Sequence, residues 1–247
     1  MLRILSYNIR RGGVAREDRL AAVINHHAPD VAVLQEAIRP AIVARLAHAT
    51  GMTVNGAMRG RSLAFLSRIP IASHRWVRPR WSQHAFLEIV PAGESTTIFG
   101  VHLSAVHAAW TEARRVHELR ALLTAIQAHA ERRHVIVGDF NTLAPDERLD
   151  IARLPHRLRL LVWLSGGKIR WQTIAIMLGA GYVDAFRQLH PTEPGYTFPT
   201  WDPHVRLDYA FLSKAAASDL TACDVLVDPG DARHASDHFP LGADLVE

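Results

Sequence analysis

The apolar runs of this chain repeatedly stop on polar residues. Leu2-Arg3-Ile4-Leu5-Ser6-Tyr7-Asn8 begins with strand-like alternation and passes into the polar, glycine-containing loop Asn8-Ile9-Arg10-Arg11-Gly12-Gly13. Residues 18–27 carry Leu20, Val23, Ile24 and His27 at helical spacing, and Pro29-Asp30 ends that helix. Val31-Ala32-Val33-Leu34 predicts a buried strand ending on Gln35-Glu36, and residues 41–48 predict a short helix. From Leu63 the pattern changes to successive strands at 63–66, 71–76, 86–90 and 96–102, with Ser67-Arg68-Ile69-Pro70 and residues 91–95 as turns between them. The clearest helix spans 113–126: Ala113, Val116, Leu119, Leu122, Leu123 and Ile126 form one stripe, which leaves arginine and glutamate for a solvated face. The β-branched run His134-Val135-Ile136-Val137 then predicts a buried strand delivering Gly138-Asp139-Phe140-Asn141 at its end.

Residues 144–181 are the least regular. Two apolar segments, 158–164 and 174–178, are separated by Ser165-Gly166-Gly167-Lys168. Neither can span a bilayer, and both read as core-packed helices; the alternative is an excursion that meets a membrane surface or substrate. Tyr196-Thr197-Phe198-Pro199-Thr200-Trp201 is an aromatic loop, 207–212 and 223–227 are strands, and His234-Ala235-Ser236-Asp237-His238 precedes a last strand at 239–245. No Ser/Gly-rich linker or charge block divides the chain. The expectation is one domain over 1–247, with 144–181 as an irregular helical insertion, built as α/β with two packed mixed sheets and helices outside. Each half repeats strand, polar strand end, helix, strand, polar strand end.

Composition narrows this further. Of 247 residues 49% are hydrophobic, enough for a sizeable core. The single cysteine, Cys223, excludes a disulfide framework and a multi-cysteine zinc site. No signal peptide is visible, since residues 1–9 already read as a strand, so a soluble cytoplasmic protein is expected. The net charge of +4 suits a polyanionic partner such as nucleic acid or an anionic lipid surface. Only Lys168 and Lys214 are lysines among 28 basic residues, so compositional bias toward arginine contributes to that excess.

The strand ends bring the chemistry. Asn8, Glu36, Asp139 with Asn141, and Asp237 with His238 all stand at the ends of apolar stretches; His102 closes the strand at 96–102, and Arg206-Leu207-Asp208-Tyr209 puts a carboxylate at the start of another. Gly, Asp and Asn are also ordinary turn residues, but so many polar strand ends point to a site built on rigid scaffold. Oxygen ligands without a thiol cluster fit a hard cation, Mg²⁺ or Mn²⁺, which needs only one or two carboxylates. A histidine beside a carboxylate offers proton transfer or an orienting pair.

The series Ser6-Tyr7-Asn8-Ile9-Arg10, Gln35-Glu36, Phe65-Leu66-Ser67-Arg68-Ile69-Pro70, His102-Leu103, Gly138-Asp139-Phe140-Asn141, Arg206-Leu207-Asp208-Tyr209 and Ser236-Asp237-His238-Phe239-Pro240 resembles the endonuclease/exonuclease/phosphatase superfamily, the group of deoxyribonuclease I-like and exonuclease III-like enzymes. The motifs follow in family order over nearly the whole chain. The resemblance implies a four-layer α-β-β-α sandwich and divalent-metal-dependent cleavage of a phosphoester. It implies Glu36 as main metal ligand, with Asn8 and Asp237 beside it. It implies Asp139 and Asn141 as the pair that orients or deprotonates the attacking water, His238 as the catalytic histidine and Asp208 as the carboxylate fixing its tautomer. His102 and Arg10, with Asn141, are implied phosphate contacts.

Substrate is expected to be nucleic acid, hydrolysed by in-line attack of water on a phosphodiester. The runner-up is a phospholipid or inositol-phosphate phosphoesterase, favoured by the apolar insertion with Arg157, Arg159, Lys168 and Arg170, whose other reading is a solvated face. Only Pro199-Thr200-Trp201-Asp202-Pro203-His204-Val205 separates the aromatic loop from Arg206, shorter than the segment that wedges into DNA in abasic-site nucleases, and no paired cysteines match a secreted deoxyribonuclease. A non-catalytic binding protein of the same fold would be expected to have lost one of these side chains. Zinc hydrolysis through His234 and His238 lacks a further histidine to complete a tetrahedral set.

Overall fold

The apolar runs pair into two six-stranded sheets. The computed structural model describes residues 1–246 except 81, 83, 106–108, 128–131, 146, 148, 149, 154, 155 and 165–170. The expected turn at 165–168, Lys168 and Arg170, and the side chain of Arg157, lie outside the described residues. In chain order the first elements are β1 (Leu2–Asn8), α1 (Glu17–His27), β2 (Val31–Gln35), α2 (Pro40–Thr50), β3 (Val54–Ala57), β4 (Ala64–Ser67), β5 (Ile71–Val77) and β6 (Phe86–Pro91). There follow β7 (Thr97–His102), α3 (Ala109–Ala125), β8 (His134–Asp139), α4 (His156–Leu164), α5 (Thr173–Gly179), β9 (Val183–Asp184) and α6 (Ala185–Leu189). The chain closes with β10 (Asp208–Leu212), β11 (Leu220–Val225), α7 (Ala232–Ala235) and β12 (Leu241–Leu245).

Strand order is β11-β12-β1-β2-β4-β3 in one sheet and β5-β6-β7-β8-β10-β9 in the other. Each sheet has one parallel pair at its centre, β1 with β2 and β7 with β8, flanked by antiparallel strands. Parallel neighbours need a crossover, supplied by α1 and α3 respectively. The internal repeat expected from the pattern is therefore two strand-helix-strand units, one per sheet. Both units discharge their polar ends on the same side, which is what assembles the site.

Alternation along each strand sorts side chains into layers. Ile4, Val31, Val33, Ile98, Val135 and Val137 fill the space between the sheets. Leu5, Ala32 and Leu34 face the other way, onto Leu20, Ile24 and Leu46 of α1 and α2. Phe99, Ile136 and Phe211 face Leu119 and Leu122 of α3, Ile126 just after it, and Met177 of α5. The layers run helix, sheet, sheet, helix, as expected.

Three expectations are corrected. Strand β3 was not predicted: Asn55 and Gly56 are poor strand formers and break its alternation. The acidic and basic residues of α3 are not all solvated, because Glu112, Arg115 and Glu118 are buried along the same face as Leu119 and Leu122. Among the described side chains of the two insertion helices, those that join a core cluster are Ile174, Met177 and, partly buried, Ile176, all of α5. On α4 Val162 is buried, but Leu160, Trp163 and Leu164 are 55%, 69% and 59% exposed. No described helix is long and apolar enough to cross a membrane.

Candidate active site

Strand register builds the centre. Parallel pairing sets Asn8 opposite Gln35, so Asn8 and the next residue, Glu36, end up side by side. In the other sheet His102 pairs with Asp139, and Asp139 pairs with Asp208, which places three predicted residues in one row across three strands. The sheets meet through Asn8, whose Nδ2 donates to Asp139 Oδ2 at 3.0 Å and lies 3.5 Å from Glu36 Oε1. The loop before β12 brings in His238, with Nδ1 2.8 Å from Asp208 Oδ2 and Nε2 3.9 Å from Asp139 Oδ2. Gly138 (φ 150°) is required here: a Cβ would lie 2.0 Å from the Val101 carbonyl oxygen of the neighbouring strand.

The backbone around these groups is strained. Arg10, Glu36 and Asn141 have φ of 50°, 54° and 53°, the left-handed region that costs side-chain-bearing residues on the order of 1–3 kcal/mol each. The strain is used to aim hydrogen bonds. Arg11 N–H reaches Glu36 Oε2 at 2.5 Å, Asn141 N–H reaches Asp139 Oδ1 at 2.9 Å, and Asn141 Nδ2 donates to the Leu103 carbonyl at 3.1 Å.

Burial and charge set the protonation states. Burial pushes the Asp139 carboxyl up to about 7, even though His238 opposes it. Burial alone would lower His238, but the carboxylates of Asp208 and Asp139 outweigh it and hold the imidazolium up to about 10. The buried pair thus shares a proton near neutrality, with His238 its preferred owner. Asp208 Oδ1 is buried without a hydrogen-bond partner. His102 is buried, stacked on His84 with ring centres 4.9 Å apart, and taken by burial down to about 3, so it is a neutral imidazole with an unpartnered Nδ1.

Two places have ligands for a cation. Asp139, Asp208 and His238 offer ligand atoms within 4.8 Å of one another. There the His238 ring lies between the two carboxylates, 2.8 Å from Asp208 Oδ2 and 3.9 Å from Asp139 Oδ2. At the second, Asn8 Nδ2 lies 3.5 Å from Glu36 Oε1, and Glu36 and Asp237, both partly open to solvent, carry oxygen donors of the kind a hard cation takes. Asp237 is held near Asn8 because Ser236 Oγ donates to the Asn8 carbonyl at 2.6 Å. Arg10, the predicted phosphate contact, has its Nε 3.2 Å from Asp237 Oδ2.

Sequence reading missed the groups that hold this centre from behind. Glu112 Oε1 accepts from the Gln172 and Thr173 N–H groups (2.8 Å each) and from Thr173 Oγ1 (2.7 Å), capping α5. Its Oε2 accepts from Thr142 Oγ1 (2.9 Å) and Arg115 Nε (3.0 Å). Arg115 Nη1 and Glu118 hold Ser104 by main chain and side chain. Ser104 and Thr142 follow His102 and Asn141 closely, so one buried charge network fixes both loops. A signal existed: Glu112 and Arg115 fall on the helical stripe continued by Leu119 and Leu122. Arg206, buried over the Tyr209 ring and gripped by Glu147 at 2.7 Å and Asp184 at 2.8 Å, likewise fixes the entry to β10 and Asp208.

The sequence model described as "Endonuclease/Exonuclease/phosphatase family" matches residues 5–238. Among curated proteins no sequence matches the chain. In solved structures the fold is similar to an AP endonuclease from Archaeoglobus fulgidus (TM-score 0.76, 19% identity, all of both chains covered). It is similar to a variant of the 3′ phosphatase NExo from Neisseria bound to product DNA hairpin (0.75, 19%, all of both chains). It is also similar to humanized D. rerio TDP2 (0.70, 20%, 100% of this chain and 99% of that one). At such identities the likeness speaks for the fold.

Proposed function

The chain belongs to the endonuclease/exonuclease/phosphatase family of divalent-metal-dependent phosphoesterases, and within it we propose that it hydrolyses nucleic-acid phosphodiester bonds. The observation that carries the substrate class is the aromatic wall over the catalytic histidine. The Phe198 ring lies 4.8 Å from His238, Trp201 stands beyond it at 6.3 Å, and Trp201 and Tyr196 are 63% and 41% exposed. Bases stack on such platforms while the phosphate enters the polar centre. The nucleic-acid-related neighbours, an AP endonuclease, an enzyme holding a DNA hairpin and TDP2, are consistent with that choice.

Glu36, Asn8 and Asp237 hold the cation, Mg²⁺ or Mn²⁺ by donor type. When bound, it supplies Lewis-acid charge to a phosphoryl oxygen. Asp139, poised near neutrality, orients the water and takes its proton. Asn141 and neutral His102 direct N–H groups at the phosphoryl oxygens, where charge grows in the transition state. His238, kept cationic and fixed in tautomer by Asp208, stabilises the leaving oxygen or protonates it. Arg10 balances Asp237 and faces the incoming anion.

A substrate panel tests the reading: single- and double-stranded DNA, RNA, sphingomyelin vesicles and phosphoinositides, each with Mg²⁺, Mn²⁺ or EDTA. Nucleic-acid cleavage that weakens steeply with salt is expected. The exposed Leu160, Trp163 and Leu164 of α4 favour the second reading, a lipid-surface esterase. Turnover restricted to vesicles would establish it in place of the first.

A further inference from the structure

The loop after β1 does more than touch Glu36. Arg10, Arg11, Gly12 and Gly13 have φ of 50°, 49°, 75° and 71°, four successive left-handed residues closed by Gly13 N–H on the Arg10 carbonyl at 3.0 Å. Two arginines in that conformation are costly, and the turn they make is concave. With Val14, Arg16 and Arg39 they line a pocket of about 380 Å³. The Arg39 stem crosses the turn closely at Gly12: a Cβ there would lie 3.0 Å from Arg39 Cγ, and the φ of 75° favours glycine as well.

Two of the four arginines of this pocket are engaged and two are open. Arg10 has Asp237. Arg16 places its guanidinium on the main-chain carbonyls of Ile9, Arg10 and Ala235, with the carboxylates of Asp237 and Glu36 acting on it as well. Among the described residues the side chains of Arg11 and Arg39 bond nothing, and both are exposed. Val14 and Ile38, 44% and 48% exposed, add apolar surface at the rim. The pocket adjoins the cation site, because Arg11 N–H is the group bonded to Glu36.

Two free guanidinium groups over a concave turn suit a phosphate, which they can bind in bidentate fashion. The scissile phosphate belongs at Glu36, Asp139 and His238, so a second anion is meant here. We propose that the pocket takes the phosphate flanking the scissile one on a nucleic-acid strand, with Arg11 and Arg39 as its donors and Arg16 as the charge behind them. This rests on the nucleic-acid reading above. The site then measures strand continuity: a substrate with one phosphate fills half of it, and a polynucleotide fills both halves.

The test compares a short oligonucleotide with bis(p-nitrophenyl) phosphate, which carries a single phosphate, in wild type and in Arg11→Gln/Arg39→Gln. The ratio of kcat/KM for oligonucleotide to that for the small ester is expected to fall at least about tenfold, through KM, as two charge-assisted contacts are lost. The salt slope of oligonucleotide KM should fall by about two, and Arg39→Lys should retain part of the ratio. An unchanged ratio, whether both activities persist or both fall together, overturns the inference alone. A wild type that turns over the ester but leaves the oligonucleotide intact overturns the nucleic-acid reading and this inference with it.

Discussion

Replacing Glu112 by glutamine perturbs the site without touching it. The amide matches the carboxylate in shape, and with its oxygen at the Oε1 position it still accepts from Gln172 N–H, Thr173 N–H and Thr173 Oγ1. Its NH₂ then faces Thr142 and Arg115, from which a carboxylate oxygen now accepts at 2.9 and 3.0 Å. Arg115, wholly buried, loses the carboxylate 2.9 Å from its Nη2, the largest charge acting on it, while those of Asp139 and Glu118 still do. Breaking a buried ion pair from one side costs about 3–5 kcal/mol, against a total stability of about 5–15 kcal/mol. For a chain of this size that is a fall in Tm of about 6–20 °C. Scanning calorimetry on metal-free protein reads it directly. Glu112→Gln/Arg115→Met, which removes the stranded charge as well, should recover more than about 1 kcal/mol of the loss. The pH dependence has a definite sign. Burial raises the Glu112 carboxyl, but Arg115 and the bonds from Thr173 and Gln172 hold it below the ordinary glutamate range. Its contribution is therefore full above that range and is lost as pH falls below it through the lowered folded value, so the gap between wild type and variant should begin to narrow below about pH 4. A single variant losing under about 1 kcal/mol, or a double variant no better than the single, refutes the reasoning.

Two further outcomes follow from the site. His102 is held neutral by burial, with a value taken down to about 3; the stability this lends is present above about 6.5 and is lost as pH falls toward 3, by up to about 5 kcal/mol. Urea midpoints measured from pH 7 to pH 4 should fall more steeply in wild type than in His102→Asn, and parallel curves would contradict this. Asp208→Asn removes the carboxylate 2.8 Å from His238 Nδ1 and should lower kcat by on the order of 10³–10⁴ with little change in KM, as loss of an orienting carboxylate does elsewhere; a loss under tenfold would mean that His238 does not need it.

How much was legible in the sequence depended on where polarity met an apolar run. Asn8, Glu36, Asp139 and His102 announced themselves because each ends a strand whose interior must be apolar, and register then brought them together across strands. The two strand-helix-strand units were visible for the same reason. Charge inside a helix carries no such mark: Arg115 and Glu118 looked solvated because helices commonly carry a charged face, Glu112 fell just outside the expected helix, and only tertiary packing decides which face is covered. The apolar α4 erred in the opposite direction, since Leu160, Trp163 and Leu164 read as core and stand exposed. The arginine turn at 10–13 was hidden because side-chain-bearing residues such as Arg10 and Arg11 rarely take left-handed backbone and its partners, Glu36 and Arg39, lie far along the chain.

Oligonucleotide turnover titrated with Mg²⁺ after exhaustive EDTA dialysis, in wild type and Glu36→Gln, weighs the proposal that a cation on Glu36 drives phosphoester hydrolysis. Wild type should be silent until the ion is restored. Glu36→Gln should keep its metal-free Tm yet lose at least about 10²-fold in kcat/KM, the several kcal/mol that such charge stabilisation supplies, and need more Mg²⁺ for half its remaining rate. Full turnover in the dialysed wild type, or wild-type rates and Mg²⁺ dependence in the variant, would contradict it.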